Sequence, residues 1–135
     1  MRSKDFGVVA GISRQCNKNE TLEMFEKVCL IRAFEFNVKK AFDAGLIKCP
    51  TYLSLGQESI AAALSVAYKN PYIFGQHRCH DFYLAYGGDP KALIDELLHR
   101  PTGCAKGMGG SASIHDQSIG MFGHIGLVGD QNNGA

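Results

Sequence analysis

The chain has 135 residues, of which 45% are hydrophobic, and its formal net charge at neutral pH is +1. This length allows one domain or part of one, this composition excludes a disordered chain, and this charge, without a basic run, argues against nucleic-acid and membrane binding. The five cysteines lack C-x-x-C spacing, so we expect reduced thiols in a cytoplasm rather than a disulfide framework or a zinc site.

Residues 1–18 are predicted to form an N-terminal arm without a signal peptide, and residues 19–135 to form the folded part. A long helix is predicted from Thr21 to about Gly45, where a glycine cap would end it. Its apolar stripe consists of Leu22, Phe25, Cys29 and Phe36, extended by Phe34, Val38, Ala41 and Phe42.

A connector over residues 50–55 precedes a second predicted helix. Ser54 and Gln57 have the spacing of a capping box, in which each side chain bonds to the backbone of the other residue. The alanine-rich run from Ile60 to Ala67 favours a helix, and Tyr72 to Phe74 is predicted to form a short strand.

Three further segments follow in chain order. Residues 80–86 are predicted to form one or two helical turns. Asp89 and Pro90 mark a helix start, with Asp as the cap and Pro in the first helical position, and Pro101 marks the end of that helix. Beyond it we expect glycine-rich loops, with a short helix near Gly126.

Arg78 is the first candidate for a binding role. Its guanidinium presents a fixed fork of donors that matches phosphate oxygens. It follows the predicted strand directly, and ligand sites of α/β proteins lie at strand ends. The alternative is a surface arginine paired with Asp81.

His77 and His80 are the next candidates, because they would share one face of a helix. A third ligand at matching spacing is missing, which disfavours a metal pair. Donation to a phosphate or acid–base work suits them better, and ordinary hydrogen-bonded histidines remain the alternative.

Nine of the 16 glycines lie between Gly103 and Gly134. The run from Gly103 to Ser111 could cradle a phosphate through successive backbone N–H groups, although it matches neither nucleotide-binding fingerprint. A flexible surface loop is the alternative. Asp130, Asn132 and Asn133 offer oxygen ligands that suit Mg²⁺, and a polar chain end explains them equally well.

Several short motifs occur in order with a familiar spacing. They are Arg32-Ala-Phe-Glu35, Gly56-Gln-Glu58, Phe74-Gly-Gln-His-Arg78, Gly103-Cys-Ala-Lys-Gly-Met-Gly-Gly-Ser111 and Gly126-Leu-Val-Gly129. With them the chain resembles the N-terminal part of the alpha subunit of the thiamine-diphosphate-dependent 2-oxoacid dehydrogenases, which include pyruvate, acetoin and branched-chain enzymes. The resemblance covers roughly residues 20–131.

The resemblance implies an α/β fold, here the largely helical N-terminal portion of a thiamine-diphosphate-binding fold with few short strands. Gln76, His77 and Arg78 would line the diphosphate side of the cofactor. Gly126 and Val128 would offer a backbone carbonyl and a backbone N–H to the aminopyrimidine ring. His80 matches a histidine of the pyruvate-type motif and is the candidate catalytic residue.

The resemblance also implies partners: a beta-type subunit or complementary half chain that supplies the activating glutamate, a lipoyl acyltransferase as acceptor, and a 2-oxo acid as substrate. His77 departs from the tyrosine of many relatives, and Tyr52 stands where pyruvate-type enzymes carry a histidine. The Mg²⁺ ligands are expected outside this chain, which would make it incomplete on its own. A non-catalytic interaction module and a transketolase-like enzyme are the alternatives.

Overall fold

The computed structural model describes residues 16–124, and these residues form four α-helices, a short 3-10 turn and two strands. In chain order they are α1 (Lys18–Asp43), α2 (Glu58–Ala67), β1 (Ile73–Gly75), α3 (His80–Ala85), α4 (Pro90–Leu97), the 3-10 turn (Gln117–Ile119) and β2 (Met121–His124). The largely helical α/β architecture that the resemblance implied is therefore confirmed. No helix within residues 16–124 is both long and apolar enough to cross a membrane.

Helix α1 begins three residues earlier than predicted because of a capping box that the sequence analysis did not single out. The Asn17 side chain accepts from the Glu20 N–H, and the Glu20 carboxylate accepts from the Asn17 N–H, both at 2.9 Å. At the other end the helix stops at Asp43, and Gly45 follows with φ +73°. That left-handed conformation suits glycine, as the prediction of a glycine cap required.

The predicted apolar stripe of α1 is mostly wrong, since only two of its eight residues are buried. Phe34 and Val38 are buried, together with Ile31, where α1 packs against α2 and α3. Five residues of the stripe are exposed, including Phe25 at 65% and Phe36 at 50%. Helix α1 thus has apolar residues on two opposite sides, and only one of them faces the rest of residues 16–124.

The capping box predicted for α2 is wrong. Gln57 is the N-cap, but its side chain makes no capping hydrogen bond, and the Ser54 hydroxyl caps no backbone N–H of the helix. The Ser54 backbone N–H instead donates to Oε1 of Glu35 at 3.1 Å, which draws this segment towards α1. Glu58, the first residue of the helix, accepts from the Gly56 N–H at 3.1 Å.

Helix α4 begins as predicted. The Asp89 side chain accepts from the Lys91 N–H at 2.9 Å, and Pro90 occupies the first turn. The predicted turns at residues 80–86 correspond to α3, and the predicted strand at residues 72–74 corresponds to β1, one residue later.

Strand β2 was not predicted, since the expectation beyond Pro101 was glycine-rich loops and a short helix near Gly126, a position outside the described residues. It pairs with β1 in parallel, with Ile73 opposite Met121 and Gly75 opposite His124. The two strands therefore end at the same edge of the sheet. The helices and the sheet share one core, which includes Ile31, Phe34, Val38, Ile47, Ala61, Ile73, Cys79, Tyr83, Leu84, Leu93, Leu97, Ile114 and Met121.

Candidate functional site

The candidate site is the edge of the sheet where both parallel strands end. Gln76, His77 and Arg78 follow β1 directly, before α3 begins at His80. In α/β proteins this carboxyl edge is where ligands bind. The two residues predicted to meet the aminopyrimidine ring, Gly126 and Val128, lie outside the described residues.

Arg78 is exposed, and its guanidinium makes no hydrogen bond or ion pair within residues 16–124. The alternative of a surface pair with Asp81 is wrong, because Asp81 is buried and one of its carboxylate oxygens accepts from the Phe82 N–H at 2.9 Å. A fork of five N–H donors is therefore available beside the end of β1.

Gln76 adds a second donor at the same edge. Its side-chain Nε2 is buried and has no hydrogen-bond partner within the described residues. A buried donor without a partner costs about 1–3 kcal/mol, so a ligand oxygen placed there would be favoured. The half-buried His77 lies between Gln76 and Arg78 in the chain, so three side chains with donor capacity follow one strand.

The ring of His77 is in edge-to-face contact with the ring of Tyr52, with centroids 5.1 Å apart and planes at 71°. Tyr52 belongs to the connector before α2, so this contact links the connector to the segment after β1. It places Tyr52, one of the two departures from the family pattern, beside His77, the other departure.

His80 is fully buried, and both of its ring nitrogens lie within hydrogen-bond distance of buried side chains. Nδ1 is 3.0 Å from Oε1 of Glu35, and Nε2 is 2.9 Å from Oγ of Ser111. The prediction that His80 is a catalytic residue stays a prediction. Its enclosure separates it from the exposed guanidinium of Arg78 two residues earlier.

The glycine run from Gly103 to Ser111 forms an anion nest, but a carboxylate of this same chain fills it. The buried Glu96 accepts from the backbone N–H groups of Ala105 and Gly107 through Oε2, both at 2.8 Å. Its Oε1 accepts from Gly109 at 2.7 Å and from Gly110 at 3.1 Å. The hypothesis that these N–H groups cradle a phosphate is therefore wrong, because four of them already bind Glu96.

Glu35 and Glu96 are the residues that sequence reasoning missed. Each is an acid on the buried side of a helix, Glu35 beside Phe34 in α1 and Glu96 beside Leu97 in α4. Buried acids are rare unless they are hydrogen-bonded, so an acid within an apolar helix face was the available signal. Using it required knowing which face is buried.

Burial raises the pKa of two ionisable groups behind the site, Asp81 and Cys79. Burial raises the pKa of Asp81 to about 6, and the negative charge of Glu35 acts in the same direction. Burial also raises the pKa of the Cys79 thiol to about 12, so this thiol is not a nucleophile at neutral pH. No group of three or more His, Cys, Asp or Glu residues is arranged to hold a metal ion within residues 16–124.

The donors at the sheet edge fit an anionic group with several acceptor oxygens, such as a phosphate. Arg78 matches phosphate oxygens in charge and geometry, and the unpartnered Nε2 of Gln76 needs an acceptor. By contrast, the glycine loop offers no such fit, because its carboxylate partner is already present.

Comparisons with known proteins identify related chains. A pyruvate dehydrogenase E1 component subunit alpha of Zymomonas mobilis is 34% identical over 117 residues, which cover 85% of this chain and 33% of that protein. The mitochondrial alpha-1 subunit of Arabidopsis thaliana is 32% identical, and the match covers 88% of this chain and 31% of that protein. The mitochondrial alpha subunit of Saccharomyces cerevisiae is 34% identical, and the match covers 89% of this chain and 28% of that protein. The chain thus spans about a third of the length of the curated relatives it matches. No protein-family model matches it.

Proposed function

Over most of its length the chain is homologous to the N-terminal part of the pyruvate dehydrogenase E1 alpha subunit, and on this premise we propose that it binds the diphosphate of thiamine diphosphate in a 2-oxoacid dehydrogenase. The observation that carries this proposal is the Arg78 guanidinium, which has no partner within residues 16–124 and stands at the carboxyl edge of the parallel sheet. The reaction would be the decarboxylation of a 2-oxo acid, with pyruvate suggested by the names of the relatives.

Each side chain at the edge has a distinct task in this proposal. Arg78 would bind two phosphate oxygens with its planar fork, and Gln76 would donate its Nε2–H to a third. His77 would donate a further hydrogen bond from its ring. Together these donors would offset the charge of the diphosphate and fix the cofactor's position.

The reactive end of the cofactor would depend on parts that the structure does not describe. Gly126 and Val128 would meet the aminopyrimidine ring through their backbone. Thiamine diphosphate, when bound, supplies an electron sink for loss of carbon dioxide from the 2-oxo acid. The Mg²⁺ ligands and the activating glutamate would come from outside this chain, the glutamate from a beta-type subunit.

The wider assignments follow from the same premise. A lipoyl acyltransferase would accept the acyl product, as in a 2-oxoacid dehydrogenase complex. Some relatives carry a mitochondrial label and others do not, so a cytoplasmic location remains a prediction for this chain. A donor of the acetoin type and a ketol transfer of the transketolase type would use the same diphosphate site.

Calorimetric titration tests the proposal. Thiamine diphosphate with Mg²⁺ is titrated into the chain alone and into the chain mixed with a beta-type subunit. We expect binding in the mixture, and we expect Arg78→Ala to weaken it at least about tenfold, the equivalent of about 1.4 kcal/mol. Arg100→Ala is the matched control, because Arg100 pairs with Asp95 at the end of α4 and should leave affinity unchanged.

Two results would contradict the proposal. If neither sample binds the cofactor, the chain is better described as a non-catalytic interaction module. If both arginine variants weaken binding equally, the effect is one of overall charge rather than of a site at the sheet edge.

A further inference from the structure

A buried chain of hydrogen bonds leads from α1 to the connector that touches His77. Glu35 Oε1 lies 3.0 Å from His80 Nδ1, and His80 Nε2 lies 2.9 Å from Ser111 Oγ. The Ser111 oxygen in turn accepts from the Tyr52 N–H at 2.9 Å. We propose that His80 is a positioning residue, which acts through Ser111 and Tyr52 to fix the ring of His77 beside Arg78.

The hydrogen-bond partners of the two ring nitrogens assign the tautomer of His80. A serine hydroxyl has one proton to donate, and the Ser111 oxygen already accepts from the Tyr52 N–H. That oxygen still has a second lone pair, so the direction of the Ser111–His80 bond is set at the other ring nitrogen: a carboxylate oxygen only accepts, and Nδ1 of His80 therefore donates to Oε1 of Glu35. With this proton on Nδ1, the ring can accept the Ser111 hydroxyl at Nε2.

Because His80 is buried, its positioning role does not include proton transfer to a ligand. Glu35 and His80 are 0% exposed and Ser111 is 2% exposed, so neither ring nitrogen of His80 reaches the sheet edge. Both nitrogens are also engaged by side chains that hold them in place. His80 therefore influences a ligand at the edge only through the residues it positions.

The route from His80 to the site passes through Tyr52. The backbone of Tyr52 is tied to Ser111, and its ring contacts the ring of His77 edge to face. His77 is three residues before His80, so chain and contacts form a closed loop. These contacts hold the His77 ring in one orientation. The ring therefore loses less conformational entropy when it binds a ligand.

Ser111 is itself held from the opposite side. Glu96 accepts from the N–H of Gly110, the residue before Ser111, at 3.1 Å. The glycine loop is thus anchored on α4 by Glu96 and joined to α1 by Ser111 and His80. Its contribution to the site is to hold Ser111 in place, since its N–H groups bind Glu96 rather than a ligand.

Nuclear magnetic resonance of the ring nitrogens tests the tautomer without any ligand or variant. In the ¹⁵N-labelled chain we expect Nδ1 of His80 to carry a proton that is hydrogen-bonded to Glu35. A bare Nδ1 would overturn this assignment, and with it the link from Glu35 to His80 on which the proposal rests.

Variants test the route to His77. In Ser111→Ala we expect the ring signals of His77 to shift, because the Tyr52 N–H and His80 Nε2 both lose their partner. Ser65→Ala is the matched control: Ser65 is also 2% exposed and its hydroxyl also makes two hydrogen bonds, but with Lys27 and Ala62. Unchanged His77 signals in a folded Ser111→Ala chain would overturn the proposal.

Conservative replacement separates positioning from mere packing. His80→Gln places an amide near the position of Nε2 and can still accept from Ser111, whereas His80→Asn keeps only the bond to Glu35. We expect Gln to retain the wild-type His77 signals and Asn to lose them. The reverse order would show that the bond to Glu35 matters rather than the route through Ser111.

A measurement of ligand binding rests on the proposed function, and its outcome is independent of the His77 signals. With inorganic pyrophosphate and Mg²⁺ as the probe, we expect Ser111→Ala to bind about fivefold more weakly than wild type, as for the loss of about one hydrogen bond. Failure of the wild-type chain to bind pyrophosphate would count against the proposed function, while the His77 signals would still decide the role of His80. Equal affinity of wild type and Ser111→Ala would overturn the positioning role.

Discussion

The guanidinium of Arg32 and the carboxylate of Glu58 join α1 to α2 through two hydrogen bonds, one of them from Nη2 to Oε2 at 2.9 Å. The Glu58 side chain is almost fully buried, whereas about half of the Arg32 side chain is exposed. The hydrogen bonds from Arg32 lower the pKa of Glu58 from 4.5 to about 2. The pair therefore stabilises the packing of the first two helices.

We expect Glu58→Gln to reduce the free energy of unfolding by about 2 kcal/mol at pH 7, because a charged hydrogen-bonded pair is lost. The folded pKa is depressed, so this stabilisation is complete above pH 4.5 and disappears as the pH falls towards 2. Urea unfolding at several pH values checks this. Asp43→Asn, which breaks the exposed pair with Lys39, should change stability by less than about 0.5 kcal/mol.

Asp81 should impose the opposite dependence on pH. Burial raises its pKa from 3.8 to about 6, so the folded state holds this proton more tightly than the unfolded state. Its contribution to stability is greatest below pH 3.8 and falls as the pH rises through 6, by about 3 kcal/mol. Asp81→Asn should remove this decline while keeping the bond from the Phe82 N–H. An unchanged decline between pH 4 and 6 in the variant would assign it to another group.

Glu96→Gln should destabilise the chain by about 2–4 kcal/mol. The amide keeps one acceptor oxygen, but its NH₂ group faces two of the four backbone N–H groups that the carboxylate binds, and buried donors are left without acceptors. Thermal or urea unfolding measures the loss. Glu26→Gln, a change at an exposed position of α1, should stay within about 0.5 kcal/mol. Similar stability of the two variants would show that the nest contributes little.

Gly109→Ala should cost more than Gly45→Ala. A Cβ at Gly109 would lie 2.1 Å from the Ser113 carbonyl oxygen, so the loop around Glu96 would have to move. A Cβ at Gly45 meets nothing within 4 Å, and only its φ of +73° is unfavourable, which costs about 1 kcal/mol. Unfolding midpoints of the two variants compare steric with conformational cost. Equal midpoints would mean that the loop adapts freely.

Local chemistry explains what the sequence could predict. The start of α4 follows from Asp89 and Pro90, whose capping bond and fixed φ depend only on neighbouring residues. The placement of Arg78 after a short strand also needed only the apolar run before it. The recognition of the family rested on short motifs in order, and the relatives confirm it.

The predictions that failed concern features that depend on distant parts of the chain. Both sides of α1 are apolar, so periodicity could not decide that Phe34 rather than Phe25 faces the core. Strand β2 is four residues long and forms only because β1 is there to pair with it. The partner of the glycine loop, Glu96, lies in the preceding helix, and no local rule connects a helix acid to a loop that follows it.

The nest of Glu96 has a consequence for competition between anions. The Glu96 carboxylate that the loop binds belongs to the same chain. It is therefore present at an effective concentration on the order of millimolar or more, whatever the solution contains. Free phosphate would have to displace a tethered, buried group and leave it without partners. We therefore expect the order of the glycine loop to be insensitive to the supply of phosphate or cofactor, and in the proposed function only the donors at the sheet edge would respond to it.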